Sequence, residues 1–490
     1  MNDMNAAMVK GFSLLRKAYV RNGHATTGAP RARGLPLIGN LLDFQRDRFG
    51  FAMRVAREYG DLVEVKIGFI PVLLASSPAI AHEVLVEKNE SFVKSAGLSV
   101  FSKPLLGDGL LTSEHEEHKK QRKMMAPLFA HKRIASYADV MAERAELTAR
   151  KLATTNRADV LDAMMRVTLE IVGKALFDAE LGGDADEVGD ALTCAMNAMM
   201  DGLVRLVPIP PQFPTRTNLR MREAVKQLDE IVYRIIRERR ASGVDRGDLL
   251  GMLLATKHED DESPLSDKEI RDQSMTLMLA GHETTANALS WTLYELARDP
   301  NARARLEREV DEALGTRRVT MADLPNLPLT MQAVKEAMRL HPPAYVIGRQ
   351  ATRDTTVGGV PIPAGRVVLV NVARIHRRAD FFPDPDRFDL DRLSSEREKK
   401  LPPFAYVPFG AGPRVCIGNH FALMEAQIVL ATIVQHVEID LQNPGVEIEP
   451  EPLVTLRPKG GVPATIRPRT TRSPLRSRAT APPAPAPSPR

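Results

Sequence analysis

Two cysteines, Cys194 and Cys416, are too few for a disulfide framework in a chain of 490 residues, and they fit a reducing, cytoplasmic setting. Aromatic residues make up only 5% of the chain, with one tryptophan, Trp291. No apolar run reaches the roughly 18 residues that a membrane span needs. Histidine never recurs at metalloprotease spacing. His115-Glu116-Glu117-His118 sets its histidines at i, i+3, whereas that zinc motif needs i, i+4. A positive charge excess in the body of the chain is missing too. The net +5 arises at the ends: residues 1–40 carry +5 and residues 467–490 carry +6, which leaves −6 between them. The basic balance belongs to the ends and is poor evidence for a nucleic-acid-binding core, so no nucleic-acid partner is expected. There is no internal repeat. The hydrophobic share of 43% and charged share of 26% are those of a globular chain that can bury a large core.

Residues 1–29 read as an extension. Over 4–21 a short basic amphipathic helix is expected, with Met8, Phe12, Leu15 and Tyr19 on one face. It lacks the core and cleavage site of a signal peptide, and it leaves weak membrane-surface contact open. Thr26 to Arg33 reads as a linker and Asp43 to Tyr59 as one helix. Asp61 to Leu74 reads as a β-hairpin, and residues 93–111 as a loop or pocket wall. Helical patterns follow over 134–239, broken by the prolines of 207–214. The Met-rich helix before that break suits either core or an adaptable lid. Arg205 suits a surface role or a carboxylate anchor. Strands are expected over 346–371 and 436–467. The tail from Arg469 is rich in Pro, Ala, Ser and Arg without apolar period, so disorder is expected there.

What the chain does have is concentrated in three places. Phe409-Gly410-Ala411-Gly412-Pro413-Arg414-Val415-Cys416-Ile417-Gly418 cannot be a regular helix, because its glycines and proline favour a tight, rigid loop. Asn419 to Gln435 has helical apolar spacing. The thiol thus precedes a helix N-terminus, which favours the thiolate, and Arg414 adds positive charge. A rigidly held thiolate with no second cysteine at metal-site spacing suits one axial bond to a haem iron.

Ser266-x-x-Glu269 is a capping box that starts a helix running to about Arg298, before Pro300. At its centre stands Ala280-Gly281-His282-Glu283-Thr284-Thr285. This is poor helix chemistry, so local propensity is given up, as happens at functional sites. Ala280 and Gly281 remove bulk for a flat cofactor and a diatomic, and Glu283 and Thr284 form an adjacent acid–alcohol pair. Upstream, His118 and Arg122 share a helix face at i, i+4 and could grip an anionic group such as a haem propionate.

These segments resemble the cytochrome P450 family. Phe409, Gly412, Arg414, Cys416 and Gly418 match its F-x-x-G-x-R-x-C-x-G signature, and Ala280 to Thr284 match its oxygen-activation motif. Glu336-x-x-Arg339 followed by Pro385-Asp386-Arg387-Phe388 resembles its Glu-Arg-Arg triad, with Glu336, Arg339 and Arg387 as implied members. The resemblance covers roughly 30–468. It implies a mainly α single domain with a smaller β region, holding haem b between the long helix and the Cys loop. By the same resemblance Arg349 joins His118 and Arg122 at the propionates. The implied pocket comprises Phe101, Leu105, Met199, Leu203, Thr276, Leu279, Ala280, Val346, Ile347 and Val454.

The implied activity is a haem-thiolate monooxygenase. It would insert one atom of O2 into a lipophilic substrate (fatty acid, terpenoid, steroid or polyketide), with Glu283 and Thr284 relaying protons. No segment resembles a flavin or iron–sulfur domain, so electrons from NAD(P)H are expected through a ferredoxin or flavodoxin with its reductase. Lys119, Lys120, Lys123, Lys132 and Arg133 would form its docking patch. A haem-thiolate peroxygenase or isomerase would need no proton relay. A thiolate-haem gas sensor would need neither triad nor pocket.

Overall fold

The computed structural model describes residues 27–178, 185–204, 213–244, 246–258 and 262–469, and leaves aside the side chains of 96–100, 185–186 and 203–204. The expected N-terminal helix, most of the 207–214 break, Arg205, the Leu203 side chain and the 470–490 tail lie outside the described residues.

Helices longer than ten residues are numbered in chain order: α1 Arg48–Tyr59, α2 Ala96–Leu106, α3 His115–Met125, α4 Ala138–Ala153, α5 Val160–Phe177, α6 Ala185–Val204, α7 Arg216–Ser242, α8 Asp267–Arg298, α9 Pro300–Leu314, α10 Pro328–Leu340 and α11 Asn419–His436. The strands are β1 Leu62–Ile67, β2 Ile70–Ala75, β3 Phe92–Lys94, β4 Arg157–Asp159, β5 Ile347–Ala351, β6 Thr355–Val357, β7 Val360–Ile362, β8 Val367–Val370, β9 Val437–Leu441, β10 Pro450–Pro452, β11 Leu456–Pro458 and β12 Pro463–Pro468. The architecture is mainly α with small sheets at the periphery, as expected.

The middle of the molecule is α8, 32 residues long. Ser266 and Glu269 close the expected capping box at its start. At its end Asp299 leaves helical geometry, and its carboxylate instead caps α9 at Asn301 N and Ala302 N, both 3.0 Å away. Helix α8 packs most extensively on α5 and also meets α7, α10 and α11. Such a helix is buried nearly all round, so it has no polar face to offer solvent.

A five-stranded sheet in the order β1-β2-β8-β5-β3 forms the second layer. The β1–β2 hairpin is antiparallel, with Val65 opposite Val72. Strand β8 adds in parallel to β2, and β5 joins β3 so that Arg349 lies opposite Lys94. That pairing brings two distant cations to one edge.

Four expectations need correction. The 43–59 helix is two, because Asp47 breaks it and caps α1 through Gly50 N at 2.7 Å. The 93–111 stretch contains the end of β3 and helix α2, not a loop. The 26–33 linker is tied to the edge of β1: the buried Glu64 carboxylate gathers Thr27, Arg31 and Arg366. Arg469, assigned to the tail, is held by Asp311 at 2.7 Å and by the His436 carbonyl at 2.8 Å.

One buried group in this packing has no charge partner. Glu425 of α11 is 0% exposed, and neither carboxylate oxygen makes a hydrogen bond. Burial pushes its pKa well above the ordinary 4.5, while nearby Thr285 pulls the other way without a well-formed bond. An ionised carboxylate there would be uncompensated, so the acid is neutral. The folded form holds its proton where the unfolded form has lost it, so stability falls as pH rises above 4.5. Glu425→Gln removes that penalty. Its urea midpoint is expected to exceed that of the parent at pH 8, and the gap should close near pH 4.

Candidate active site

Every residue of α8 from Ile270 to Leu296 is buried except Ala280, Gly281 and Thr284. An accessible patch in the middle of a buried helix borders interior space. Ala280 is exposed, and Thr284 sits one turn on, half-buried, its hydroxyl donating back to the Ala280 carbonyl at 2.8 Å. The backbone around it is further engaged. His282 Nδ1 lies 3.1 Å from the Met278 carbonyl, and Thr168 of α5 donates to the His282 carbonyl at 3.0 Å. Three alternate carbonyls of one stretch thus carry side-chain contacts, which loosens the helix ladder there.

Gly281 has a different role from the one expected. A Cβ on it would meet Val172 of α5 at 2.8 Å. Its missing side chain lets α5 approach α8, so clearance for a ligand falls to Ala280. Glu283 turns its carboxylate away from the accessible patch. It is 2% exposed and accepts hydrogen bonds from the Thr455 hydroxyl and Arg457 Nε, both at 2.7 Å, with Arg457 Nη2 in ion-pair contact at 2.6 Å. Asn287, one turn on, donates to Thr455 at 2.9 Å.

Cys416 is the second accessible spot inside the fold. Its loop is fixed by main-chain bonds from Cys416 N to Phe409 O and from Val415 N to Gly412 O, both 3.0 Å. Gly412 has φ +70°, and a Cβ there would sit 2.1 Å from the Leu85 carbonyl, so only glycine fits. Phe409 packs on the main core, and Phe129 lies over Gly418. The expected lowering of the thiol pKa is not what this protein environment produces. Although its side chain reaches open space, the protein packed around it pushes the Cys416 thiol up, against the Gly418 N–H and Arg122, which pull it down.

Beside the loop lies a cluster of cations. Arg122 donates to the Val415 carbonyl at 2.8 Å, and Arg414 donates to the Ser113 carbonyl at 2.9 Å and pairs with Glu114. His118, Arg349 and Lys94 complete it. Burial, then Arg414 and Lys94, hold His118 down at about 4. Burial and Arg414 hold Arg349 near 10 and Lys94 near 7. Among the described residues Glu114 is the one acid that offsets them, and Arg414 Nη1 is buried without a partner. The cluster is short of negative charge, and two carboxylates such as haem propionates fit that deficit. Lys94 could not be singled out from sequence; only the β3–β5 register puts it beside Arg349.

Behind the loop is a buried ion cluster, and its third member is not Arg387. Glu336 and Arg339, both 0% exposed, pair at 2.8 Å, and Arg392 Nε reaches Glu336 at 2.9 Å. The Arg387 side chain is exposed, and its carbonyl serves the cluster by accepting from Arg339 at 3.1 Å. The Pro383–Arg387 segment turns so that its carbonyls, not its side chain, face the guanidinium groups.

The expected pocket residues divide. Val346, Ile347 and Val454 are half-buried, and Ile347 lies 3.5 Å from the Cβ position of Gly410 in the Cys loop. Leu105, Met199 and Leu279 are buried to 5% exposure or less, and Phe101 packs across Gly202. Thr276 is 3% exposed and bonds the Asp272 carbonyl at 2.8 Å, beneath Gly109. It supports the 107–110 segment, which is tied to α8 through Asp272 and Gln273.

A long central helix with one accessible polar turn, a glycine-shaped thiol loop and a cation cluster short of acids together describe a haem-thiolate enzyme. The comparisons agree. The family model for cytochrome P450 matches residues 30–463. Cyclooctatin synthase of Streptomyces melanosporofaciens is 37% identical over 426 residues, 86% of this chain and 92% of that one. Cyclooctat-9-en-7-ol 5-monooxygenase of the same organism is 34% identical over 83% of this chain and 88% of its own. Pentalenene oxygenase of Streptomyces avermitilis is 30% identical over 88% and 96%. The chain belongs to the cytochrome P450 family. It is a haem monooxygenase, an oxidoreductase that uses O2. Among the described residues no helix is long and apolar enough to cross a membrane.

The corrected ion cluster gives a direct comparison. Arg392→Ala leaves the Glu336 charge short of a partner and should cost about 3–5 kcal/mol with loss of haem loading. Arg387→Ala should stay within about 0.5 kcal/mol. Urea unfolding and haem content per chain measure both.

Proposed function

We propose that this enzyme hydroxylates or epoxidises a terpenoid, that Cys416 would hold the iron of the haem, and that Thr284 would be the proton donor at the accessible turn of α8. The observation that carries this reading is the α8 patch: Ala280 and Thr284 are accessible in a helix otherwise buried from Ile270 to Leu296. The cofactor supplies oxygen activation, favoured by a thiolate ligand. His118, Arg122, Arg349 and Arg414, joined by Lys94, would hold its carboxylates. Ala280 leaves room above it, and Val346, Ile347 and Val454 offer apolar walls.

Thr284 is placed to donate, because its hydroxyl can exchange the Ala280 carbonyl for a ligand. Glu283 is the acid next to it in the chain. Its tie to Arg457 and Thr455 must loosen for it to return a proton, so Arg457 sets how readily it does so. Two relatives act, by their names, on cyclooctat-9-en-7-ol and pentalenene. Within the lipophilic classes that suit these walls, they favour the terpenoids. Electrons from NAD(P)H would come through a ferredoxin or flavodoxin. The exposed Lys119, Lys120, Lys123, Lys132 and Arg133 lie on the Cys416 side, where His131 meets His420 at 4.9 Å, and suit an acidic partner.

The reduced, carbon-monoxide-bound protein is expected to absorb at the thiolate-type position, and an imidazole-type band would reject Cys416. Thr284→Ala should lower product formed per electron pair by about tenfold or more, with peroxide rising in its place. Cyclic terpene hydrocarbons and alcohols should perturb the haem spectrum at micromolar concentration. A response to fatty acids alone would reject the terpenoid assignment.

A further inference from the structure

His376 is a buried histidine that neither the signature motifs nor the cation cluster accounts for. It is 0% exposed and follows the short helix Val372–Ile375. Each of its polar faces touches a different part of the site's support. Its carbonyl accepts from Arg339 Nη1 at 3.0 Å, which ties it to the Glu336 ion cluster. Its Nε2 accepts the Val407 N–H at 2.8 Å. Its Nδ1 turns toward the main chain of Met338 and Arg339 at the end of α10, without a well-formed bond. Its ring lies against Tyr406, centroids 5.0 Å apart, and the Tyr406 hydroxyl donates to the Lys335 carbonyl of α10 at 2.9 Å.

Val407 is where the thiol loop starts. The Val407 carbonyl accepts from Gly410 N at 3.1 Å, and the Phe409 carbonyl accepts from Cys416 N at 3.0 Å. A run of hydrogen bonds and short chain segments therefore leads from Glu336 through Arg339, His376 and Val407 to Cys416. An imidazole that accepts at Nε2 must be unprotonated there. The charged groups around it are Arg339 from α10 and Arg377 from its own segment, and with burial they hold its pKa at about 3.

We propose that His376 is a positioning residue for the Cys416 loop: its Nε2 takes the Val407 N–H and passes the fixed geometry of the buried ion cluster to the loop that presents the thiol. This rests on Cys416 as the iron ligand. A proton on Nε2 would set two donors face to face, so the link opens in acid.

The test uses haem-loaded parent, His376→Gln and His376→Leu. Gln keeps a neutral acceptor, and Leu has none. By hydrogen exchange, the amide of Val407 should be protected in the parent and in His376→Gln, and exchange at least tenfold faster in His376→Leu. The carbon-monoxide spectrum should stay thiolate-type in His376→Gln and lose much of that band in His376→Leu. On acidification the parent should lose amide protection and thiolate band together, and His376→Gln should keep both to lower pH. If His376→Leu does not fold, the acid shift of His376→Gln decides. Equal behaviour of the Leu variant and the parent, or equal acid midpoints for Gln and parent, overturns the proposal. A parent with the protected amide but no thiolate band also overturns it, since the loop then presents no ligand.

Discussion

Desolvation of Glu336 is the constraint on which the rest of the structure depends. A carboxylate at 0% exposure must be neutralised and fully bonded, and here that takes Arg339, Arg392 and the Asp389 N–H at 3.1 Å. The two guanidinium groups in turn need carbonyls, and they collect those of His376, Pro383, Asp384, Pro385 and Arg387. An irregular segment with little regular secondary structure is thereby held in one shape. Replacing the ions by apolar groups could match them in stability, but it would not dictate where those carbonyls stand. The cluster's value is the geometry it imposes.

The thiol loop inherits that geometry from behind, and from the front it meets the opposite electrostatic condition. Around Arg414 the cations outnumber the acids and depress one another. Around Glu336 every guanidinium nitrogen finds the carboxylate or a carbonyl within the chain. Glu283 resembles Glu336 in being buried and paired, but its partner Arg457 comes from a short buried strand, so one ion pair fastens β11 to the middle of α8. The three sites differ in kind: one fixes backbone, one is left short of negative charge, and one ties an acid beside Thr284 to a neighbouring strand.

Much of this was legible in the residues. The capping box, the helix it starts and the tight turn of the thiol loop follow from local rules, because the bonds that close them lie a few positions apart. The hairpin β1–β2 follows from alternation. What escaped depends on long-range pairing. Arg392 replaces Arg387 because the 383–387 segment turns its carbonyls inward, and no periodicity encodes that turn. Lys94 joins the cations only through strand register. Gly281 looked like clearance for a ligand, but Val172 of another helix occupies the space beside it. The thiol's pKa went the wrong way because proximity to a helix N-terminus is visible in sequence and burial is not.

Helix α8 can also be viewed as a beam. At 1.5 Å per residue its 32 residues span about 48 Å. It is clamped by a capping box at Ser266 at one end, and its other end adjoins the capped start of α9 at Asp299. A beam fixed at both ends deflects most at mid-span, and mid-span is where Thr284, His282 and Thr168 already share the carbonyls of the ladder. Stiff supports and a soft centre direct any bending to the turn that carries Ala280 and Thr284. Any bending is thereby confined to one turn, with both ends of the helix and everything packed on them left in place.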